Sequence, residues 1–353
     1  MHAFSRRSEP MRKNIRWLGG LLAVQVALAI GLSFRGSDLA PARADGALLS
    51  VKTDSIDRLT LGGPDKAEVR LVKRDGQWQL PSAGDFPADA ERVKQLLDKL
   101  GQLKAGVPVA TTRGAQARFK VATEGYERRI VLGQGDQPLA TLFLGTAQGA
   151  RQVLARVDGS DAIHAVALAV YEIPLKTDDW LDKAIVSLPN DDIAALELGA
   201  LKLARGTPAA PLPDAAAVVK PASSTAAETW TASAGLADGE TLSTDAAAAL
   251  ASALAGLRID SVLGREAQPG YGLDRPALAL TVVRKDGSRI DYQLGKQAVG
   301  EDYVLKVSTR PEYFRMPAWA VNPLLDAGKR DRLTGTTAVA GAQPARASPA
   351  GGS

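Results

Sequence analysis

Ile56 to Leu61 is a short apolar run, and two further runs, Glu68 to Lys73 and Gln77 to Leu80, flank Arg74-Asp75-Gly76. An Asp-Gly pair between such runs signals a hairpin, because glycine takes positive φ without steric cost. Trp78 follows that turn directly. The period then changes from two to 3.6. Pro87-Ala88-Asp89 opens a helix whose Val93, Leu96, Leu97, Leu100 and Leu103 share one face. Past Phe119 the pattern predicts strands over Arg128 to Leu132 and Ala140 to Leu144, the second ending at Gly145. Gln152 to Val157, His164 to Val170 and a short helix near Trp180 complete the series.

The same order then recurs. Ile193 to Leu198 answers Ile56 to Leu61, and Trp230 answers Trp78. Leu250, Leu254 and Leu257 mark a helix entered at Ser243-Thr244-Asp245, and Tyr271-Gly272-Leu273 stands where Phe119-Lys120-Val121 stood. Ala277 to Arg284 and Arg289 to Leu294 flank Lys285-Asp286-Gly287, Gly295 answers Gly145, and Tyr303 to Val307 answers Gln152 to Val157. Phe314 and Trp319 close this series as Tyr171 and Trp180 close the first. Repetition of a strand–hairpin–helix–strands unit predicts an α+β fold, two units of antiparallel sheet each with a packed helix. The expected boundaries are 48–187 and 188–334. A solvated Ala/Pro/Ser-rich insert at 206–228 and a disordered tail at 335–353 are too poor in large apolar residues to pack.

One run has neither period. Residues 17–34 carry no charge, and Trp17, Leu18, Leu21, Leu22, Val24, Val26, Leu28, Ile30, Leu32 and Phe34 supply its bulk. A helix needs roughly 20 apolar residues to cross the hydrocarbon core, so this run just suffices. Arg6, Arg7, Arg12, Lys13 and Arg16 lie in the tail 1–16, which the positive-inside rule keeps cytoplasmic. A single-pass anchor in a bacterial inner membrane follows, with 35–47 as a linker and the rest of the chain periplasmic. A cleaved signal peptide, cut at Ala42-Arg43-Ala44, is the alternative.

Charge changes the picture by what it excludes. The formal net charge is +4, and residues 1–16 account for all of it, leaving 38 basic against 38 acidic residues beyond. The high pI therefore marks the leader, and no basic run beyond it suits nucleic acid. Cysteine is absent, which removes disulfides, lipid attachment at cysteine and thiolate zinc sites.

Candidate chemistry is thin. His164 is the one histidine beyond His2, and a general base needs a nucleophile and an orienting acid in space. A strand residue facing solvent or bonding a neighbouring carbonyl is the structural alternative, and the better one. Asp178 and Asp182, with Asp179 between them around Trp180, lie four apart and suit one face of a helix, as a hard cation would require. Acidic residues in a first turn also suit the helix dipole. Trp78, Trp180, Trp230 and Trp319 suggest sugar stacking, but their matching places in both series favour roles as buried anchors. Gly145 and Gly295 are read as structural positions too. No nucleophile elbow, Ser-x-x-Lys or phosphate loop occurs, since Gly295-Lys296 continues into Gln297.

The ordered set of an N-terminal anchor, the hairpin Asp75-Gly76-Gln77-Trp78-Gln79-Leu80, the Pro87 helix entry, Tyr271-Gly272-Leu273 and the Leu-Gly steps at Gly145 and Gly295 resembles the bacterial DUF 4340 family. The resemblance covers Leu48 to Leu333 as two copies. It departs at Phe119-Lys120-Val121, where Phe-Gly-Leu is usual. Members look like envelope proteins associated with ABC-type transport, some similar to gliding-motility components, and the family has no agreed catalytic residues. The expectation is a non-enzymatic accessory, scaffold or binding component without cofactor or metal, partnered with the membrane and transporter subunits. An envelope glycan or peptide hydrolase using paired carboxylates and a plain structural spacer are the rivals.

Overall fold

A computed structural model describes residues 46–206 and 229–336, with Gln25 standing alone before them. The run 17–34, the 207–228 part of the insert and the tail beyond Thr336 lie outside the described residues. Among the described residues no helix is long and apolar enough to cross a membrane. The chain forms two contact units that do not follow the boundaries 48–187 and 188–334. Residues up to Glu68 join Lys94–Leu175 in the first unit, and Val69–Val93 join the chain from Lys176 onward in the second.

In the first unit, β1 (Arg58–Gly62) pairs with a meander of β5 (Arg128–Gln134), β6 (Gln137–Gly149), β7 (Gln152–Val157) and β8 (Ile163–Val166). The order is β8-β7-β6-β5-β1, with every pair antiparallel. Leu142, Phe143 and Leu144 are consecutive and all buried, as are Val153, Leu154 and Ala155. Successive residues of a strand point to opposite faces, so the sheet is covered on both. One cover is a small cluster of Ala115, Val121, Phe143, Leu154 and Ile163, fed by a short helix at Arg113–Arg118 that periodicity alone did not reveal. Within it Arg156 is buried, and its guanidinium donates to the carbonyls of Val121 at 2.8 Å and Ser160 at 3.1 Å.

The second unit holds the hairpin β2 (Glu68–Arg74), β3 (Gln77–Leu80) and β4 (Phe86–Pro87). Asp75 and Gly76 have φ of 50° and 81°, and Arg74 faces Gln77 across the two-residue turn. Both central residues are left-handed, as the Asp-Gly pair predicts. Helix α1 (Ala90–Gly101) begins at the expected place, with the Asp89 carboxylate accepting from Arg92 N at 3.0 Å. The chain passes between units inside this helix, at Val93 and Lys94.

The larger sheet of the second unit has eight antiparallel strands. They are β9 (Ile193–Leu198), β10 (Leu201–Gly206), β11 (Thr229–Ala234), β12 (Ser261–Gly264), β13 (Leu278–Arg284), β14 (Arg289–Lys296), β15 (Tyr303–Val307) and β16 (Tyr313–Met316). Their order is β11-β10-β9-β13-β14-β15-β16-β12. Gly206 thus ends a strand, although it opened the expected insert. Helices α2 (Thr244–Ala255) and α3 (Ala318–Ala327) pack together through Ala247, Leu250, Leu254, Val321 and Leu324. The Ser243 hydroxyl caps α2 by accepting from Ala246 N.

The run β9-β13-β14-β15-β16 reproduces β1-β5-β6-β7-β8 in order and direction. A closer equivalence lies in the backbone. Lys120 has φ 56° and Gly272 has φ 67°, so Phe119-Lys120 and Tyr271-Gly272 make the same left-handed corner. A Cβ on Gly145 would stand 2.0 Å from the Phe119 carbonyl oxygen, and one on Gly295 would stand 2.2 Å from that of Tyr271. Each Leu-Gly step is therefore where a corner's main chain rests directly on a strand. Gly145→Ala and Gly295→Ala are each expected to cost about 1–3 kcal/mol, the usual range for overpacking, in denaturant melts. Lys120→Gly relieves a left-handed lysine that costs roughly 1–2 kcal/mol, and a net gain of about 0.5–1 kcal/mol is expected after the added chain entropy.

Candidate functional site

Of the four tryptophans beyond Trp17, three are buried anchors. Trp78 on β3 and Trp230 on β11 follow equivalent hairpins, and Trp180 is fully enclosed, its carbonyl accepting from Asp89 N at 2.8 Å. Trp319 corrects the expectation, because it is 77% exposed. It lies two residues before Val321, about 200° around the helix from that buried side chain. Tyr171 is likewise exposed while Phe314 is buried, so the two series close differently.

His164 sits buried on β8, with Nδ1 2.9 Å from the Gly106 carbonyl oxygen, which is the structural role. Asp178 and Asp179 lie in a first turn, without the shared face that a cation would require. Thr177–Trp180 is a single 3-10 turn that ends before Asp182, and Asp182 Oδ1 accepts from Ala184 N at 3.0 Å. Asp178 and Asp182 therefore share no helical face. Among the described residues no three His, Cys, Asp or Glu side chains converge as metal ligands. Burial pushes the Asp178 carboxyl above the ordinary carboxylate range, and the charge of Asp260 adds to this against Arg315 and Lys183. Asp260 itself is gripped by Arg315, at 2.9 and 2.5 Å.

For the carboxylate-pair reading, Glu197 and Asp291 flank Thr281 on three adjacent strands, over a shallow depression of about 260 Å³. Two hydrogen bonds from Arg289 hold Glu197 below the ordinary range, the opposite of what a general acid needs. Asp291 accepts from the Thr281 hydroxyl at 2.6 Å.

A second concavity, about 570 Å³, runs along β12. One wall is Val262 to Glu266 with Gln268, the other is Ser82-Ala83-Gly84, and Glu312 lines it as well. Phe86 sets the second wall by meeting Phe314 edge-on at 5.9 Å between centroids. The Ala88–Leu181 bridge and the bond from Asp182 N to the Pro87 carbonyl fasten the same loop. Glu312 is 6% exposed. Its Oε1 accepts from Arg265 at 3.1 Å, while the enclosed Oε2 pairs ionically with Arg310, whose Nε stands 3.7 Å away. Lys306 Nζ donates to the carbonyls of Arg310 and Pro311 at 2.7 and 2.8 Å, which fixes the turn that carries Glu312.

Sequence reading missed Glu312, and a signal was there. Residues 312, 314 and 316 alternate with more exposed neighbours, so the period of two places a glutamate on the buried side of the row. The edge strand β12 was missed because its four residues follow Arg258-Ile259-Asp260 without a turn signal.

A family model described as a domain of unknown function (DUF4340) matches residues 78–298. The chain belongs to the DUF4340 family. That match is one span, starting at the first buried tryptophan and ending beyond the Gly295 step. No curated protein and no solved structure matches the chain.

The raised Asp178 acid favours its protonated form in the native state. Its contribution to stability is present below the unfolded pKa, about 4, and is lost as pH rises through the higher native value. Asp178→Asn is thus expected to be more stable than the natural chain at pH ~7, with the advantage fading below about 4 in urea melts.

Proposed function

We propose that this DUF4340 protein is a non-catalytic binding component of an ABC-type transport or envelope system, tethered to the bacterial inner membrane with its bulk in the periplasm. The observation that carries the binding reading is the β12 groove, a concavity along the outermost strand of its sheet. Sheet edges bind extended segments through main-chain hydrogen bonds, which calls for no catalytic group. The tether rests on the uncharged run 17–34 behind five basic residues. Two copies of the family domain are part of this reading, supported by the repeated five-strand order and the paired glycine contacts.

Full-length protein purified from detergent-solubilised membranes is expected to bring down an ATPase and a permease. Recovery of neither, or a reporter fused after Ser353 that is active only in the cytoplasm, would overturn the assignment.

A further inference from the structure

We propose that the loop 106–110 of the first unit docks on the surface of an anionic lipid bilayer, with Val107 and Val109 entering the headgroup layer and Lys104 and Arg113 meeting lipid phosphates. The proposal rests on the tethered reading above, since the bilayer is the one that would hold the run 17–34. Val107 is 75% exposed and Val109 50%, while Leu103 just before them is buried. The loop lies along the edge of β8, where Val109 N donates to the Ile163 carbonyl at 2.7 Å and Ile163 N to that of Ala110 at 2.8 Å. Pro108, between the two valines, has no N–H to offer a further strand, a common guard on a sheet edge. A surface that takes side chains without main-chain pairing therefore suits this loop better than an added polypeptide strand.

The tether arrives at the same place. Gly46 and Ala47 pair with Ala105 and Lys104, and Leu48 N donates to the Leu103 carbonyl at 2.8 Å. Gly46 thus stands across from the residue that enters the loop. The intervening residues 35–45 span at most about 40 Å even when fully extended. Two valines on a free protein would hold a bilayer weakly, but a short tether keeps them at a high effective concentration beside it, so a small patch suffices. Charge points the same way. No acidic residue occurs from 103 to 123, whereas Lys104, Arg113, Arg118 and Lys120 are basic, in a body that is otherwise balanced. Glu127 takes Lys120, and Arg118 lies over the Phe119 ring. Lys104 and Arg113, on either side of the loop, are exposed and make no ion pair among the described residues. Asp161, the acid that reaches this segment, is bonded by Gln116 at 2.9 Å. Apolar side chains between two unpaired cations match a layer of anionic headgroups over hydrocarbon.

Because the chain has no cysteine, Val109→Cys supplies a single thiol for an environment-sensitive fluorophore. The labelled full-length protein is reconstituted in vesicles of phosphatidylcholine, with and without phosphatidylglycerol. With the anionic lipid, emission is expected to shift to the blue and to be quenched by headgroup-level spin-labelled lipid, with a docked fraction several-fold above that in neutral vesicles. Lys104→Gln and Arg113→Gln should each weaken docking about fivefold, and added salt should weaken it too. A label at Val299→Cys, on an exposed valine of the second unit, should stay in water in both lipids. Melting curves check that each variant is folded, and either charge variant carries the comparison if the other is not. A Val109 label that stays in water, that is quenched equally in neutral vesicles or at Val299, or that ignores both charge changes would overturn the proposal. Alkaline carbonate extraction reads the tether separately. Resistance to carbonate with an unquenched label would sink the docking and leave the tether; protein stripped by carbonate that still shows quenching on anionic lipid would do the reverse.

Discussion

Main chain resting on main chain is the tightest constraint in this fold. At Gly145 and again at Gly295 a left-handed corner places a carbonyl oxygen where any side chain would have to begin. A carbon there would overlap that oxygen by more than an ångström, so the strand and the corner can meet only through glycine. The contact sets where the second strand of each meander stands relative to the segment arriving from the helix. Lys120 shows the cost of keeping this geometry without the residue best suited to it, since Gly272 fills the same place in the other unit. The glycine on the strand side is present both times, where no other residue fits. The corner residue varies, because a left-handed lysine is strained and still possible.

Two buried charges are met in different ways. Arg156 is enclosed in the first unit, and main-chain carbonyls of Val121, Val157 and Ser160 take its donors. It ties a strand to a neighbouring loop. Glu312 in the second unit is as deeply enclosed, but its charge is met by side chains, Arg265 at Oε1 and Arg310 at 3.7 Å from Oε2.

The groove depends on contacts distant in sequence. Phe86 belongs to the first hairpin and Phe314 to the last strand of the meander, yet their edge-on contact holds the 82–84 wall over β12. Arg310 stacks 5.3 Å from the centre of the Phe86 ring and stands against Glu312, so the aromatic pair and the carboxylate form one assembly.

Much of the scaffold was legible in order along the chain. Both hairpin turns, the apolar face of α1, the Ser243 cap and the pairing of Gly145 with Gly295 are local patterns, and local patterns survive folding because backbone sterics and periodicity enforce them. Trp319 failed because its place in a repeated order said nothing about which way its helix would turn. Asp178 and Asp182 could not share a face because the 3-10 turn ends at Trp180, two residues before Asp182, which leaves Asp178 and Asp179 in its first turn. The division of the chain at Val69–Val93, the edge position of β12 and the burial of Glu312 between Arg265 and Arg310 belong to tertiary structure alone. Each depends on which distant surfaces meet, and burial, unlike periodicity, is a property of that meeting.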